Sequence, residues 1–191
     1  MGLVRYLSHP QVLIDPAKPV ERWSLNDTGR GRVQALAGSY ALRGTGAVIS
    51  SAETKALETA SPLAQALGLV VIVRPAMHEN DRSATGFLPP AEFEAVADSF
   101  FAQPGTSVRG WETAMAAQRR ICAELEACLA LAPDGDVLIV GHGAVGTLLY
   151  CALAGLPISR RHDQPAGGGN WFAFRPGSPP PAPWAPMESL I

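Results

Sequence analysis

Two histidines each follow directly on a short apolar segment of this 191-residue chain. His9 ends the segment 3–8, and His142 ends the segment 136–141. Each segment is typical of a buried strand, and turn residues follow each histidine. Because ligands bind to open parallel sheets at the carboxyl ends of the strands, we expect the two imidazoles to face one crevice. Such a pair suits nucleophilic chemistry.

Hydroxyl groups and a lysine stand at another predicted strand–helix junction. Ser50 and Ser51 end a short apolar segment, and Lys55 lies one turn into the helix that is predicted to follow. The segment 141–146 around His142 also opens a predicted helix, whose first N–H groups and macrodipole favour an anion. Together these groups suit the in-line transfer of a phosphoryl group to an imidazole. The alternatives are a simple helix N-cap for Ser51 and structural roles for the histidines.

Alternating strands and helices are predicted to position these residues. Strands are predicted at residues 4–7, 47–49, 69–73, 136–141 and 171–174, and helices at residues 27–42, 52–67, 91–101, 111–131 and 145–154. The segment 69–73 is continuous and β-branched, which predicts a strand buried on both faces. The alternation predicts an α/β fold, a three-layer sandwich in which helices cover both faces of a mostly parallel sheet.

The alternation breaks between residues 75 and 110, where a polar stretch and Pro89-Pro90 precede a short helix. We expect this segment to be a small helical insertion that caps one end of the sheet, within a domain spanning residues 1–175. Its aromatic residues would roof the pocket or form the core of the insertion: Phe87, Phe93, Phe100 and Phe101. The Pro-rich segment 176–191 is predicted to be an extended tail that packs only through Trp184.

Composition narrows the class of protein. The formal net charge of -2 offers no basic surface for nucleic acid. We expect a cytoplasmic protein without a membrane partner, since no apolar segment approaches 18 residues and no signal-peptide pattern is present. No metal or cofactor is predicted, because the sequence has neither HExxH nor a clustered acidic ligand set. The cysteines form no CxxC pair, which favours free core thiols in a reducing compartment: Cys122, Cys128 and Cys151.

The order of these motifs resembles that of the histidine phosphatase superfamily, which has the phosphoglycerate mutase-like fold. The first strand of that family ends in Arg-His-Gly, where this chain has Ser8-His9-Pro10. Its Ser-Ser-x-x-x-Arg-Ala…Thr-Ala segment is similar to residues 50–60, and its second histidine segment matches residues 140–143. The resemblance spans about residues 3–174. Two further matches are Leu25-Asn26-Asp27-Thr28-Gly29 with Gln34-Ala35, and Gly110-Trp111-Glu112 followed by Arg119 and Arg120.

The resemblance implies a phosphatase mechanism. His9 would be the nucleophile and would form a phosphohistidine that water hydrolyses, while His142 would stabilise charge on the transferred group. Glu79 stands where the family has its proton-donating carboxylate, and its neighbour His78 is a second candidate for that step. The substrate would be a phosphorylated small molecule or a phosphoprotein. Its phosphate is predicted to contact Ser8, Ser51, Lys55, Arg82 and Gly143.

Both arginines that clamp the phosphate in the family are replaced, by Ser8 and Lys55. Lysine keeps the charge but not the bidentate fork, and serine keeps only a hydroxyl. Losing one such contact would cost about 2–4 kcal/mol of transition-state binding, or about 10²–10³ in rate. Arg82 is the predicted substitute because it lies near Glu79 in sequence, whereas Arg5 would be too far away. These departures leave open a second class, a catalytically impaired phosphatase fold that serves as a binding or regulatory module.

Other enzyme classes fit the sequence less well. Residues 141–146 satisfy the GxGxxG pattern of dinucleotide-binding folds, and Asp163 lies about twenty residues further on. The pattern falls too late in the chain to leave room for the strands of such a fold, and it gives His9 and Glu79 no role. A serine hydrolase is not expected, since no GxSxG precedes a predicted helix. Phosphoglycerate mutase activity is not expected, because it would need a cationic pocket for a second acidic group of the substrate.

Overall fold

The computed structural model describes residues 2–131, 135–178 and 181–191. The strands in this part of the chain are β1 (Val4–Ser8), β2 (Thr45–Ser50), β3 (Val71–Val73), β4 (Asp136–Gly141), β5 (Asn170–Phe174) and β6 (Ala185–Pro186). They form one sheet in the order β3-β2-β4-β1-β5-β6. The first four strands pair in parallel, whereas β5 runs antiparallel to β1, and β6 runs antiparallel to β5. The predicted α/β fold with a mostly parallel sheet is confirmed.

Helices cover both faces of this sheet. The described residues form α1 (Asp27–Ala37), α2 (Thr54–Ala66), α3 (Pro90–Ala102), α4 (Ala114–Leu131) and α5 (Gly143–Leu153). The face that bears Leu7 and Val140 packs on α1 and α2. The opposite face, which bears Tyr6 and Ile139, packs on α4 and α5, and α3 joins the same core. Because successive side chains of a strand point to opposite faces, the central strands supply two apolar cores.

The two histidines leave the sheet on adjacent central strands. Ser8 at the end of β1 is in register with Gly141 at the end of β4, so His9 and His142 follow side by side. The Tyr6 hydroxyl fixes the second histidine, since it accepts from the His142 N–H and donates to the His142 carbonyl, both at 3.0 Å. A Cβ at Gly141 would lie 2.3 Å from the Tyr6 hydroxyl oxygen. Glycine is therefore required before His142 because Tyr6 occupies that space.

Two sequence-based predictions about these elements are wrong. The segment 69–73 is not buried on both faces, because β3 is an edge strand on which Ile72 is 42% exposed and Val73 is 44% exposed, and Val70 just before it is 82% exposed. Its β-branched composition suits an edge strand as well as a central one. The first helix ends at Ala37 rather than at residue 42. The Ser39 hydroxyl donates to the Leu36 carbonyl at 2.8 Å and so competes with helix continuation after Gly38.

The insertion between residues 75 and 110 packs as part of the domain. Its helix α3 places Phe100 and Phe101 in the core shared with α4 and α5. Phe93 packs on Trp111, with ring centroids 6.0 Å apart. Phe87 instead lies 5.9 Å from the ring of Trp23 in the first loop. Most of these aromatic residues therefore hold the insertion in place.

The C-terminal segment packs through more than Trp184, so the prediction of a single contact is wrong. The Trp184 ring meets Phe172 edge-on, with centroids 4.8 Å apart. The strand β6 then pairs with β5, and Met187 is 1% exposed. Arg32 on α1 forms a salt bridge with Glu188 at 2.6 Å. The Pro-rich composition concealed these anchors, while Pro179 and Pro180 lie outside the described residues.

The state of the cysteines and the presence of membrane-spanning helices are two further subjects of the sequence-based predictions. Cys128 and Cys151 are buried and Cys122 is half-buried, and all three are free thiols, as predicted. Burial raises the pKa of each thiol, which keeps the sulfur protonated and inert. Within the described ranges, no helix combines the length and the apolar character needed to cross a bilayer.

Candidate active site

His9 is held in one orientation and one tautomer. Its Nδ1 lies 2.8 Å from the carbonyl oxygen of Pro10. Since a carbonyl only accepts, Nδ1 carries the proton and Nε2 keeps its lone pair. Burial, and after it the charge of Lys55, lowers the pKa of His9 to about 4. The ring is therefore neutral at neutral pH, with a nucleophilic Nε2.

The ring of His142 lies edge-on to that of His9, with centroids 5.3 Å apart and an interplanar angle of 70°. Its side chain is fully buried, and its Nε2 is 2.9 Å from the Ser51 hydroxyl oxygen. Burial lowers the pKa of His142 well below its usual range. Its Nδ1 has no partner in the part of the chain that the structure describes. A buried polar atom of this kind offers a bound ligand a hydrogen bond.

Glu79 occupies the N-terminus of α5. Its Oε2 accepts from the Ala144 N–H at 3.1 Å, and its Oε1 accepts from the Val145 N–H at 2.9 Å. A carboxylate of the chain thus takes the helix N-terminus that the sequence analysis assigned to a phosphate. Burial raises the pKa of Glu79, although Arg82 and the two N–H donors oppose the rise. A carboxyl group with a raised pKa has the property that a proton donor needs.

Arg120 on α4 fixes the loop that carries Glu79. Its guanidinium donates to three carbonyl oxygens of the segment 76–79 at distances from 2.7 to 3.3 Å. It also forms a salt bridge with Glu112 at 2.7 Å. The adjacent Arg119 is exposed. Of the two arginines noted in the sequence, only Arg120 therefore supports the site.

Lys55 is buried, with 3% exposure, and its ammonium group is paired inside the protein. Its Nζ donates to the Val20 carbonyl at 2.9 Å and forms a salt bridge with Glu53. The Glu53 carboxylate also accepts from the Glu79 N–H at 2.8 Å and lies 3.5 Å from Nε2 of His142. Burial opposes the ionisation of Glu53, but these contacts with His142 and Lys55 lower its pKa to about 2. Glu53 is thus an anion inside the predicted phosphate pocket.

Sequence reasoning missed Glu53. The family segment specifies the residue at the position of Lys55, whereas it leaves the position of Glu53 unspecified. The available signal was an acidic residue two positions before the predicted phosphate ligand.

Two predicted phosphate ligands are occupied by the protein itself. The Ser8 hydroxyl oxygen lies 2.5 Å from Oε1 of Gln164 and accepts from the Asn170 N–H at 3.0 Å. Ser8 has no exposed surface, so the structure does not bring it to the cavity. A Cβ at Gly143 would lie 2.2 Å from Nε2 of Gln164. Gln164, which the sequence analysis did not single out, therefore fills the space between β1 and the start of α5.

A cavity of about 810 Å³ opens beside these carboxylates, lined by residues 19–22, 52–54, 78–83 and 86. Arg82 lines it, and its guanidinium carbon lies 5.0 Å from the centre of the Phe93 ring. Its charge lowers the pKa of His9, although less than burial and Lys55 do. Arg5 instead pairs with Asp136 at 3.0 Å, away from the cavity. The described residues thus bring two arginines to the cavity, Arg82 and the exposed Arg22 of the first loop.

The assembled groups define the chemistry of the site. Two neutral imidazoles stand against a buried ion pair and a carboxyl group with a raised pKa. Across residues 2–131, 135–178 and 181–191, no three His, Cys, Asp or Glu side chains are grouped to hold a metal ion. A neutral histidine beside cations and N–H donors is suited to accept a phosphoryl group. The fold is that of an α/β protein in which two histidines follow the carboxyl ends of adjacent central strands.

A comparison of the sequence with protein families identifies the class of protein. A family model for the histidine phosphatase superfamily (branch 1) matches residues 20–179. The chain belongs to this superfamily. The match begins after His9, so the departure at residues 8–10 lies outside it. A comparison with curated proteins gave no match.

Solved structures share the fold at low sequence identity. A mycobacterial glucosyl-3-phosphoglycerate phosphatase complexed with VO3 is 22% identical, with a TM-score of 0.76 over 92% of this chain and 91% of that one. A phosphoserine phosphatase from Entamoeba histolytica in complex with 3-phosphoglyceric acid is 15% identical, with a TM-score of 0.75 over 100% of both chains. Bacillus stearothermophilus YhfR is 16% identical, with a TM-score of 0.76 over 92% and 91% of the two chains. At these identities the likeness establishes the fold.

Proposed function

We propose that the protein hydrolyses a phosphate monoester through a phosphohistidine formed at His9. One observation carries the proposal: the Pro10 carbonyl holds Nδ1 of His9, which leaves a neutral ring with its Nε2 lone pair free. The second imidazole, His142, stands edge-on beside it. Membership of the histidine phosphatase superfamily supports the same reaction class.

The proposed reaction has two steps. In the first, Nε2 of His9 attacks phosphorus, the P–O bond to the leaving group breaks, and protonated Glu79 gives its proton to the leaving oxygen. In the second, water attacks phosphorus and gives its proton to the Glu79 carboxylate. The N–P bond then breaks and returns its electron pair to His9. The charge of the transferred group would be stabilised by His142, Lys55 and Arg82.

The cavity favours a small phosphorylated molecule over a phosphoprotein. Its volume of about 810 Å³ lies in the range of small-molecule sites. Its lining carries four acidic side chains, Glu21, Glu53, Glu79 and Asp81, against the two arginines Arg22 and Arg82. We therefore propose a monoester with a neutral or cationic leaving group, and we do not propose mutase chemistry on an acidic one.

Hydrolysis of p-nitrophenyl phosphate, followed by a panel of small monoesters, tests this proposal. The wild-type protein should release phosphate and form an acid-labile, base-stable phosphoprotein in a rapid-quench experiment. His9→Ala should abolish both signals and keep the wild-type circular dichroism spectrum. His162→Ala is the matched control because the His162 ring packs on Tyr150 of α5, with ring centroids 6.2 Å apart, and has no role in the proposed reaction; this variant should retain both signals. A folded wild-type protein with no turnover and no phosphoprotein across the panel would sink the proposal.

A binding or regulatory module is the second candidate, and the Glu53–Lys55 salt bridge specifically favours it. Lys55 replaces a family arginine, and its charge is already neutralised inside the protein. A site of this kind would bind a phosphate monoester without turning it over. Isothermal titration with phenylphosphonate, combined with the turnover assay, separates the two candidates, because only the module binds the ligand and shows no hydrolysis of any monoester.

A further inference from the structure

We infer that Glu53 determines the charge state of the phosphate group that the site accepts. Its carboxylate competes with a phosphoryl oxygen for Lys55 and His142, so the site favours singly charged over doubly charged phosphate groups. The inference rests on the proposed phosphate site and adds a specificity-determining residue to it.

The Glu53 carboxylate is fixed among the donors that a phosphoryl group would use. The side chain is 10% exposed, and its Oε2 forms the salt bridge with Lys55. Its Oε1 accepts from the Glu79 N–H at 2.8 Å and lies 3.5 Å from Nε2 of His142. It also lines the cavity. A ligand that reaches Lys55 must therefore share the lysine with this carboxylate or displace it.

Several elements present charged or titratable groups to Glu53 and the adjoining cavity: His9 after β1, His142 after β4, Lys55 on α2, Glu21 and Arg22 in the first loop, and His78, Glu79, Asp81 and Arg82 in the insertion. The two histidines are neutral. Glu21, Arg22 and Asp81 are exposed, so solvent and salt screen their charges. Among the remaining charged groups, when Glu79 carries the proton that it donates, Lys55 and Arg82 supply two positive charges and Glu53 supplies one negative charge. The net charge of one around the phosphoryl position balances a singly charged phosphate.

Desolvation makes this charge balance effective. Charges a few ångströms apart interact several times more strongly in a partly buried site than in water. Glu53 would therefore repel a doubly charged phosphate strongly, and the limited exposure of the carboxylate to solvent would not offset this repulsion. A phosphate monoester takes up its second proton with a pKa of about 6, so the singly charged form prevails in mild acid. His9 remains neutral there, because its pKa is about 4.

Anion binding at two pH values tests the inference. Phenylphosphonate has no ester bond to hydrolyse and passes from one negative charge at about pH 5 to two at about pH 9. By isothermal titration, the wild-type protein should bind it on the order of tenfold more tightly at the lower pH, which corresponds to about 1.4 kcal/mol. Sulfate is doubly charged at both pH values, so the ratio of its two affinities reports the titration of the protein alone. Dividing the phenylphosphonate ratio by the sulfate ratio gives a corrected ratio.

Glu53→Gln should reduce the corrected ratio to below about threefold, by binding the doubly charged ligand about tenfold more tightly than the wild type does. Glu21→Gln removes the same charge from an exposed residue of the cavity wall, and it should keep the wild-type ratio. An unchanged ratio in Glu53→Gln, or weaker binding of the doubly charged ligand, would overturn the inference. The second result would mean that Glu53 only positions Lys55.

A measurement on the wild-type protein decides the matter if Glu53→Gln does not fold. At one pH, monomethyl phenylphosphonate, which is singly charged throughout, should bind more tightly than sulfate, and the reverse order would overturn the inference. Hydrolysis by the wild type with an unchanged ratio in Glu53→Gln overturns this inference alone. Charge selectivity without turnover overturns the proposed hydrolysis alone. Binding of none of these anions overturns both.

Discussion

Replacing Arg120 by methionine is expected to weaken both the fold and catalysis, because one guanidinium joins α4 to the loop that carries Glu79. Arg120 donates to three carbonyl oxygens of the segment 76–79 and makes two hydrogen bonds to Glu112. Methionine keeps the length and apolar stem of the side chain. The substitution therefore removes the hydrogen bonds and the charge with little change in packing.

The expected cost follows from the burial of the groups left behind. Removing one partner of a buried ion pair costs about 3–5 kcal/mol, but the Arg120 and Glu112 side chains each retain 17% exposure. Water can therefore reach part of the abandoned carboxylate. The three carbonyl oxygens lose charge-assisted hydrogen bonds, whose net contributions are about 1.5–3 kcal/mol each but are not additive. We expect a loss of about 3 kcal/mol in the free energy of unfolding and a fall in Tm of about 6–12 °C.

Urea unfolding of Arg120→Met and Arg119→Met measures this difference on adjacent residues of one helix. Arg119→Met should change the free energy of unfolding by less than about 0.5 kcal/mol, since its side chain is exposed. Turnover of a monoester is a second readout, and kcat of Arg120→Met should fall at least tenfold. A displaced proton donor that raises the activation free energy by about 1.4 kcal/mol is sufficient for this. Equal stabilities for the two variants would refute the assignment of Arg120 as the support of this loop.

Three further predictions concern the residues around the histidines. Gly168 has φ +65°, and a Cβ there would lie 2.4 Å from the His9 carbonyl oxygen; Gly168→Ala should therefore cost about 2 kcal/mol more in urea unfolding than Gly177→Ala, whose Cβ meets nothing at φ +75°. Tyr6→Phe should lower the free energy of unfolding by about 1–3 kcal/mol, because it leaves the buried N–H of His142 without its acceptor; a loss below about 0.5 kcal/mol would contradict this. The pKa of His9 falls from 6.5 to about 4 on folding, so the unfolded state binds more protons between these values and stability should fall by about 3 kcal/mol as the pH is lowered through that range; His9→Ala should remove this part of the pH dependence.

The sequence predicts the features that depend on regular periodicity or on strand ends. The strand at residues 136–141 has the predicted bounds, because an apolar segment between turn residues has few alternatives. The placement of His9 beside His142 follows from the same reasoning, since parallel strands bring their carboxyl ends to one edge. By contrast, the edge position of β3 depends on which strands pair, and residue type alone does not carry that information.

The electrostatics of the site could not be predicted in the same way. Lys55 is buried and paired with Glu53, a neighbour in sequence whose inward orientation depends on the surrounding loops. Ser8 lies at the predicted strand end, yet Gln164 and Asn170 take its hydroxyl. Gln164 and Asn170 are far from Ser8 in sequence. Hydrogen bonds between distant segments decide which polar side chains remain available to a ligand.

The pairing of β1 with β4 has a consequence for how the protein folds. The two strands lie side by side in the middle of the sheet, although their paired residues Ser8 and Gly141 are separated by most of the chain. Contacts of such long sequence separation form slowly, because the chain entropy of a large loop must be lost before the contact contributes. We therefore expect the two histidines to meet late in folding. Amide hydrogens at the ends of these strands should exchange with solvent only through global unfolding.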